Sequence, residues 1–160
     1  MFISLINTSF EPIQEIGDAV TLLKTFSPLA RRMPIRRCIE RRERDVHLFF
    51  VRHCHTVREE FDSNRRKPPL RNYEPQYAGA AIWAQSLLIS VKNKWNQLKM
   101  LGNFSKKIDV EASNIYEKVV NTIQAFQSQR YKDWVDSLSL IETSNLHQRL
   151  ERVRSNLNFT

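Results

Sequence analysis

Glycine, proline and cysteine are all scarce in this chain. Its 160 residues include three glycines, six prolines and two cysteines, so the usual material for the turns of an all-β protein is missing. Cys38 and Cys54 are too few for a disulfide-stapled scaffold and suit a reducing cytosol. No apolar run reaches the roughly 20 residues of a membrane-spanning helix. The apolar N-terminal stretch lacks a basic leader and a cleavage-like site, so we expect a soluble, intracellular protein that does not enter a membrane.

Residue patterns that support catalysis or metal binding are also missing. The glycines are Gly17, Gly79 and Gly102. Their spacing cannot form the G-x-x-x-x-G-K-[ST] loop in which bare backbone amides hold phosphates. Serine occurs without a G-x-S-x-G turn or any other positioning device. The adjacent residues His53, Cys54 and His55 would point about 100° apart on a helix, so they cannot converge on one ion. The sequence predicts no enzyme, metal site, cofactor or small-molecule substrate.

Helix-forming residues, by contrast, are abundant. Hydrophobic residues make up 41% of the chain, and leucine, lysine, arginine, glutamate and glutamine all favour helix. Apolar residues recur every three or four positions in several segments. These segments predict helices over about 9–26, 35–61, 77–101 and 106–141, with a short further helix from 144. We therefore expect an all-α fold, an elongated bundle of about four to five antiparallel helices without a sheet.

Three local features add detail to this prediction. Thr8 and Glu11 have capping-box spacing and Pro12 suits a first turn, so the first helix is expected to begin near residue 9. Arg42 interrupts the apolar line of the second helix, whose first half is therefore expected to be the less buried one. The likeliest core seam is a stripe on the third helix, formed by Trp83, Leu87, Val91, Trp95 and Leu98.

The net charge of +8 is concentrated in one part of the chain. Residues 31–71 contain 13 Lys/Arg against 6 Asp/Glu, which accounts for +7 of the total. A basic helix can meet nucleic acid or an acidic protein surface, and we favour the acidic protein partner over nucleic acid. The candidate partner-binding face consists of Arg36, Arg37, Arg41 and Arg44.

The most informative stretch is residues 68–88, PPLRNYEPQYAGAAIWAQSLL. Pro68, Pro69 and Pro75 fix φ and remove amide donors, so the lead-in cannot lie inside a helix. The small residues that follow, beginning with Ala78 and Gly79, would let another backbone approach closely. A glycine near a helix start costs roughly 1 kcal/mol relative to alanine, and a close contact would explain it.

This stretch resembles the signature of the N-terminal tail of dynein heavy chains. That signature has two prolines, Arg-Asn, a proline, then Ala-Gly-(Ala/Ser)-Ile-x-Trp and a following leucine. The match is sharpest over residues 65–88 and looser over the rest of 31–160, while residues 1–30 carry little recognisable pattern. Departures occur at Glu74, Tyr77 and Gln85, where the family usually has proline, valine and arginine. The family-motif residues are Pro68, Pro69, Arg71, Asn72, Pro75, Ala78, Gly79, Ile82, Trp83 and Leu87.

The resemblance implies that residues 1–160 form a single helical segment of a tail. In the family, ATP hydrolysis and microtubule binding lie far C-terminal of the tail, so any ATPase activity would belong to the parent protein. The implied role is a non-catalytic scaffold that supports assembly of the microtubule motor complex. Its partners would be other dynein heavy, intermediate or docking chains or cargo, in the cytoplasm and cytoskeleton, with the ciliary axoneme favoured.

Two other functions stay open at the level of sequence. A basic helical nucleic-acid-binding module would bind in a manner that weakens steeply with salt. A stand-alone adaptor would have kept a tail-like bundle after losing its motor, and only the length of the native transcript separates it from a fragment of a heavy chain.

Overall fold

Helices make up most of residues 2–70, 75–102 and 106–157, the parts that the computed structural model describes; side chains at 106–109, 149 and 152–157 are outside the description. The α-helices are α1 (Phe2–Phe10), α2 (Ile16–Phe26), α3 (Met33–Asn64), α4 (Gln76–Lys99) and α5 (Lys106–Leu157). A 3₁₀ turn over Ser27–Arg31 joins α2 to α3. These ranges contain no strand, which confirms the predicted all-α fold.

Helices α3, α4 and α5 run up, down and up in a three-helix bundle. The ring of Phe50 on α3 lies 5.3 Å from that of Trp95 on α4, and Phe61 lies 5.9 Å from Trp83, so these two helices are antiparallel. Since α3 has 32 residues and α5 has 52, they are about 48 and 78 Å long. The bundle is therefore elongated, as predicted.

Two aromatic layers hold the three long helices together. In the first, Phe61 and Trp83 stack at 8°, and Phe126 of α5 meets both rings edge-on, at 5.3 and 6.2 Å. In the second layer, Trp95 packs against Phe50 and stacks on Tyr116 of α5 at 4.7 Å. Each layer contains one ring from each of α3, α4 and α5. The three helices therefore pack together at two levels along the bundle.

The predicted core stripe of α4 is confirmed. All five of its residues are buried, and they belong to one hydrophobic cluster with the apolar faces of the other helices. Adjacent small residues Ala80 and Ala84 are buried as well. Burial of large apolar side chains at roughly 25 cal/mol per Å² makes this stripe a substantial source of stability in the bundle.

The predicted start of the first helix, near residue 9, is wrong, while its predicted end at residue 26 is the end of α2. Helix α1 ends at Phe10, where the prediction placed a start, and the Thr8 hydroxyl donates to the Ser4 carbonyl one turn back at 2.9 Å. Ile6 and Phe10 are buried one above the other. The burial of these two side chains against the rest of the bundle stabilises a helix in the apolar N-terminal stretch. The local sequence signals do not predict that helix.

The prediction that the first half of α3 is less buried is also wrong. Ile35 and Ile39 are buried like the apolar residues further along the helix, and α1 contacts this half of α3 at Cys38 and Arg42. Arg42 is itself part of the contact: its Nη2 donates to Asn7 Oδ1 at 2.8 Å, and its guanidinium lies 5.5 Å from the centre of the Phe10 ring. The arginine thus bridges two helices where a surface position was expected.

A third correction concerns α5, which continues to Leu157 without the predicted break after residue 141. Serine and asparagine are only mildly unfavourable in a helix, by less than about 0.7 kcal/mol each. Thr143 Oγ1 donates to the Ser139 carbonyl at 3.0 Å, and Ser139 Oγ donates to that of Asp136 at 2.8 Å. The polar side chains therefore bond to the helix backbone, and the helix runs on.

The ends of α3 and α4 lie within three residues of the predicted positions. Pro34 occupies the first turn of α3. Pro75 precedes α4 with extended backbone, and its carbonyl oxygen accepts a hydrogen bond from the Gly79 amide nitrogen at 2.7 Å. Gly102 has φ +81°, in keeping with the predicted helix end there. The predicted partner in that cap, Asn103, lies outside the described residues.

Candidate partner-binding surfaces

The family-motif residues occupy the connection from α3 to α4 and the first turns of α4. Trp83, Leu87 and Gly79 are buried, and Ala78 is half-buried. Among the three prolines, Pro68 is half-buried while the other two are exposed. Arg71 and Asn72 lie outside the described residues. The described part of the motif is thus a packing element, and it brings no set of chemically reactive side chains together.

Ile82 differs from its neighbours in the motif because it is 64% exposed. Counted from Ala78 and Gly79, the isoleucine of the family signature corresponds to Ala81, and Ile82 falls at the variable position before Trp83. It lies at the rim of an apolar cavity of about 270 Å³ between α4 and α5. The cavity is lined by Tyr77, Ala78, Ala81, Ile82, Tyr131 and Trp134. Sequence reasoning did not identify this surface, because its two walls are about 50 residues apart in the chain.

The distal part of α5 carries a second exposed apolar surface. Trp134 shares its cavity with Tyr77, in the first turn of α4, so the antiparallel α5 continues past that end of α4. Six large apolar side chains beyond Trp134 are between 43% and 69% exposed: Val135, Leu138, Leu140, Ile141, Leu146 and Leu150. Exposed large apolar side chains concentrated in one segment are a common feature of protein–protein contact sites.

The predicted basic face is present on α3. Arg36, Arg37, Arg41 and Arg44 are all exposed, within about 12 Å along the helix axis. Arg36 donates to Glu40 at 3.1 Å. For the other three, no ion pair within 4.0 Å is formed with any residue in the described ranges. Their positive charge therefore faces outward.

One polar contact crosses the interface between α3 and α4. His53 Nε2 lies 3.1 Å from the hydroxyl of Ser90, across the α3–α4 interface. Burial lowers the pKa of His53, and the nearby charge of Lys94 lowers it further, while Glu15 opposes both. Lys94 forms an ion pair with Glu15, at the residue just before α2.

The two cysteines are in different environments, and neither forms a disulfide. Cys54 is completely buried, and burial raises the pKa of its thiol from 9.0 to about 12. Cys38 is half-buried, with its Sγ 3.6 Å from Asn7 Oδ1. The buried thiol provides a pH-dependent probe of the core.

Above pH 9, we expect the free energy of unfolding of the wild type to fall relative to that of Cys54→Ala. The folded chain keeps the Cys54 proton while the unfolded chain loses it, so rising pH favours unfolding by up to about 1.4 kcal/mol per pH unit. Urea denaturation of both proteins at pH 8.0, 9.5 and 10.5 measures the difference. A difference that stays constant over this range would show that the Cys54 thiol is solvated.

Neither metal ligation nor membrane insertion is indicated in the part of the chain that the structure describes. No group of three or more His, Cys, Asp or Glu side chains there could hold a metal ion. None of its helices is long and apolar enough to cross a membrane.

The sequence is similar to parts of known dynein heavy chains. The sequence profile described as dynein heavy chain, N-terminal region 1, matches residues 1–160. The chain is 28% identical over 137 residues to dynein axonemal heavy chain 2 of Homo sapiens, and equally so to that of Mus musculus. It is 26% identical over 147 residues to the dynein-1-beta heavy chain, flagellar inner arm I1 complex, of Chlamydomonas reinhardtii.

These alignments cover 84% of this chain for the two mammalian relatives and 90% for the algal one, but only 3% of each relative. No solved structure matches. The profile includes residues 1–30, where the sequence alone showed little resemblance. Because the match spans every residue, the chain belongs to the family of dynein heavy chain N-terminal regions.

Proposed function

We propose that this chain is a non-catalytic scaffold segment of a dynein heavy-chain tail, which attaches partner subunits of the motor complex in the ciliary axoneme. Family membership supports the tail role. The relatives are axonemal and flagellar heavy chains by name, which supports the cilium as the location. Since the chain spans about 3% of their length, the motor activity of the family is no part of this proposal.

The observation that carries the proposal is the exposed apolar surface on the distal part of α5. About 23 residues, or roughly 35 Å of helix, extend past the first turn of α4 and expose six large apolar side chains. Such a surface is unfavourable in water and is stabilised when another protein covers it. We infer that this part of α5 packs against other protein in the motor complex.

A tagged version of the chain, expressed in and purified from ciliated cells, tests this function. We expect dynein heavy and intermediate chains to co-purify with the wild type. The variant Ile141→Gln/Leu146→Gln/Leu150→Gln should recover at least tenfold less of these subunits, because it removes apolar surface from the interface. Glutamine keeps a helix propensity close to that of leucine, so the fold should be retained. Quantitative mass spectrometry measures the recovery.

The matched control is Glu142→Gln/Ser144→Gln/Asn145→Gln, which makes three exposed changes on the same part of α5 without removing apolar surface. It should recover the subunits as the wild type does. Equal recovery with the apolar and control variants would show that distal α5 is not the contact surface. Failure of the wild type to recover any dynein subunit would overturn the scaffold function itself.

A further inference from the structure

We propose that the outer face of α3 binds an acidic amphipathic helix of a partner protein, with three carboxylates on Arg37, Arg41 and Arg44 and an apolar side chain in the adjoining cavity. The inference rests on the proposed scaffold function and adds to it the place and chemistry of one partner contact. The arginine–leucine face, as we call this surface, consists of Arg37, Arg41, Arg44, Leu48 and Val51.

The arginine–leucine face is one continuous strip on α3. Its members follow each other at intervals of four, three, four and three residues, which places them one above the other on a helix. The three arginines are exposed, Leu48 is 53% exposed, and Val51 is half-buried. From first to last member the strip is about 21 Å long, the length of a helix of roughly 14 residues.

The charged half of this face is not neutralised within the described structure. Among the neighbouring acids, Glu40 pairs with Arg36 and Asp45 with Arg42, while Glu43 on α3 and Glu111 on α5 form no ion pair within 4.0 Å with the three arginines. Three guanidinium groups within two helical turns repel one another, and carboxylates of a partner would relieve this repulsion. Arginine also forms bidentate hydrogen bonds with carboxylates. An acidic partner therefore fits this half by charge complementarity.

The other half of the face is apolar and concave. Leu48 and Val51 form one wall of a cavity of about 200 Å³ between α3 and α5, and Ala112 belongs to the opposite wall. Val110, two residues before Ala112, is 59% exposed. Among the described residues, the polar groups lining the cavity are Arg44, His47 and Glu111. Its mainly apolar lining can take an aliphatic or aromatic side chain, the usual anchor of a helix that binds in a groove.

The charged half and the apolar half together distinguish an acidic protein helix from a nucleic acid as the binding partner. A nucleic acid would use the arginines through its phosphates, but it would leave the apolar cavity and the exposed Leu48 without a partner. A helix with three acidic residues on one side and an apolar residue one turn beyond them would use both halves at once. The geometry therefore favours an acidic protein helix over nucleic acid.

The probe for this proposal is a fluorescent 16-residue helical peptide with glutamates at i, i+4 and i+7 and leucines at i+11 and i+14. The arginine–leucine face does not determine whether the bound helix runs parallel or antiparallel to α3. The peptide is therefore made with this sequence and with the reversed sequence. Fluorescence anisotropy in 100 mM salt measures its binding to the full chain. We expect one direction to bind, and Arg37→Gln/Arg41→Gln/Arg44→Gln to weaken its binding at least tenfold. Leu48→Gln should weaken it about fivefold.

The control variant Arg58→Gln/Arg65→Gln/Arg66→Gln changes the net charge equally, at one arginine near the end of α3 and two just after it, and should leave peptide affinity unchanged within twofold. A 16-nucleotide single strand serves as the competing probe. Two outcomes would overturn the proposal: neither peptide binds the wild type, or the two arginine triples weaken binding of both probes equally. If the peptide fails while dynein subunits still co-purify with the wild-type chain, only this contact is refuted and the scaffold function stands.

Discussion

Replacing Trp83 by alanine is expected to lower the free energy of unfolding by about 3–5 kcal/mol. Trp83 is only 8% exposed, and its ring stacks on Phe61 while Phe126 packs against it edge-on. Truncation removes one member of an aromatic layer that joins three helices, and it leaves a cavity that the long helices cannot close without moving apart. Urea denaturation followed by far-UV circular dichroism measures the change.

Trp83→Phe is the matched control for this prediction. A phenyl ring can keep the stacking contact with Phe61. The indole Nε1 of Trp83 is buried and has no hydrogen-bond partner within the described structure, so its removal sacrifices no hydrogen bond. The phenylalanine variant should therefore lose clearly less stability than the alanine variant. A loss below about 1 kcal/mol for Trp83→Ala would mean that this layer does not hold the bundle together.

Phe50→Ala is expected to have an effect of similar size, again about 3–5 kcal/mol. Phe50 is the largest side chain with no exposed surface among the residues described, and it packs against Trp95 in the second aromatic layer. Its loss should also change the near-UV circular dichroism signal, since the environment of the Trp95 indole changes. Chemical denaturation gives the stability, and the near-UV spectrum reports on the layer.

For Phe50 the conservative comparison is leucine, which fills part of the same volume and should cost less than alanine. If the alanine variant unfolds at the same urea concentration as the wild type, Phe50 cannot be packed as the structure shows. The two layers lie roughly 17 Å apart along the bundle, about 11 or 12 residues. If Trp83→Ala and Phe50→Ala lower the free energy of unfolding independently, their combined effect would approach the whole stability of a typical domain.

The aromatic layers were only half predictable from the sequence. Helical periodicity identified Trp83 and Trp95 as core residues, because the repeat along one helix is a local property. It could not select their partners: Phe61 and Phe50 lie 22 and 45 residues before their tryptophans, and many pairings would satisfy the same periodicity. The register in which α3 and α4 pack decides between them.

The candidate surfaces show the same division. Clustering of charge in residues 31–71 is visible in the sequence, and the exposed arginines of α3 follow from it. The apolar cavity beside Leu48 is not visible, because Ala112 reaches it only when α5 packs against α3. Arg42 misled the prediction for the same reason, since no local pattern reveals that α1 will cover it.

The sequence by itself determined the helical class of this protein, the bounds of α3 and α4, the core face of α4, the basic segment and the family resemblance. These depend on propensity, periodicity, proline positions and motif spacing, which are properties of neighbouring residues. Tertiary structure alone decided that α1 forms and ends at Phe10, which rings meet in each layer, and which apolar side chains stay exposed on α5. Those outcomes depend on contacts between segments far apart in the chain, whose free energy no local pattern contains.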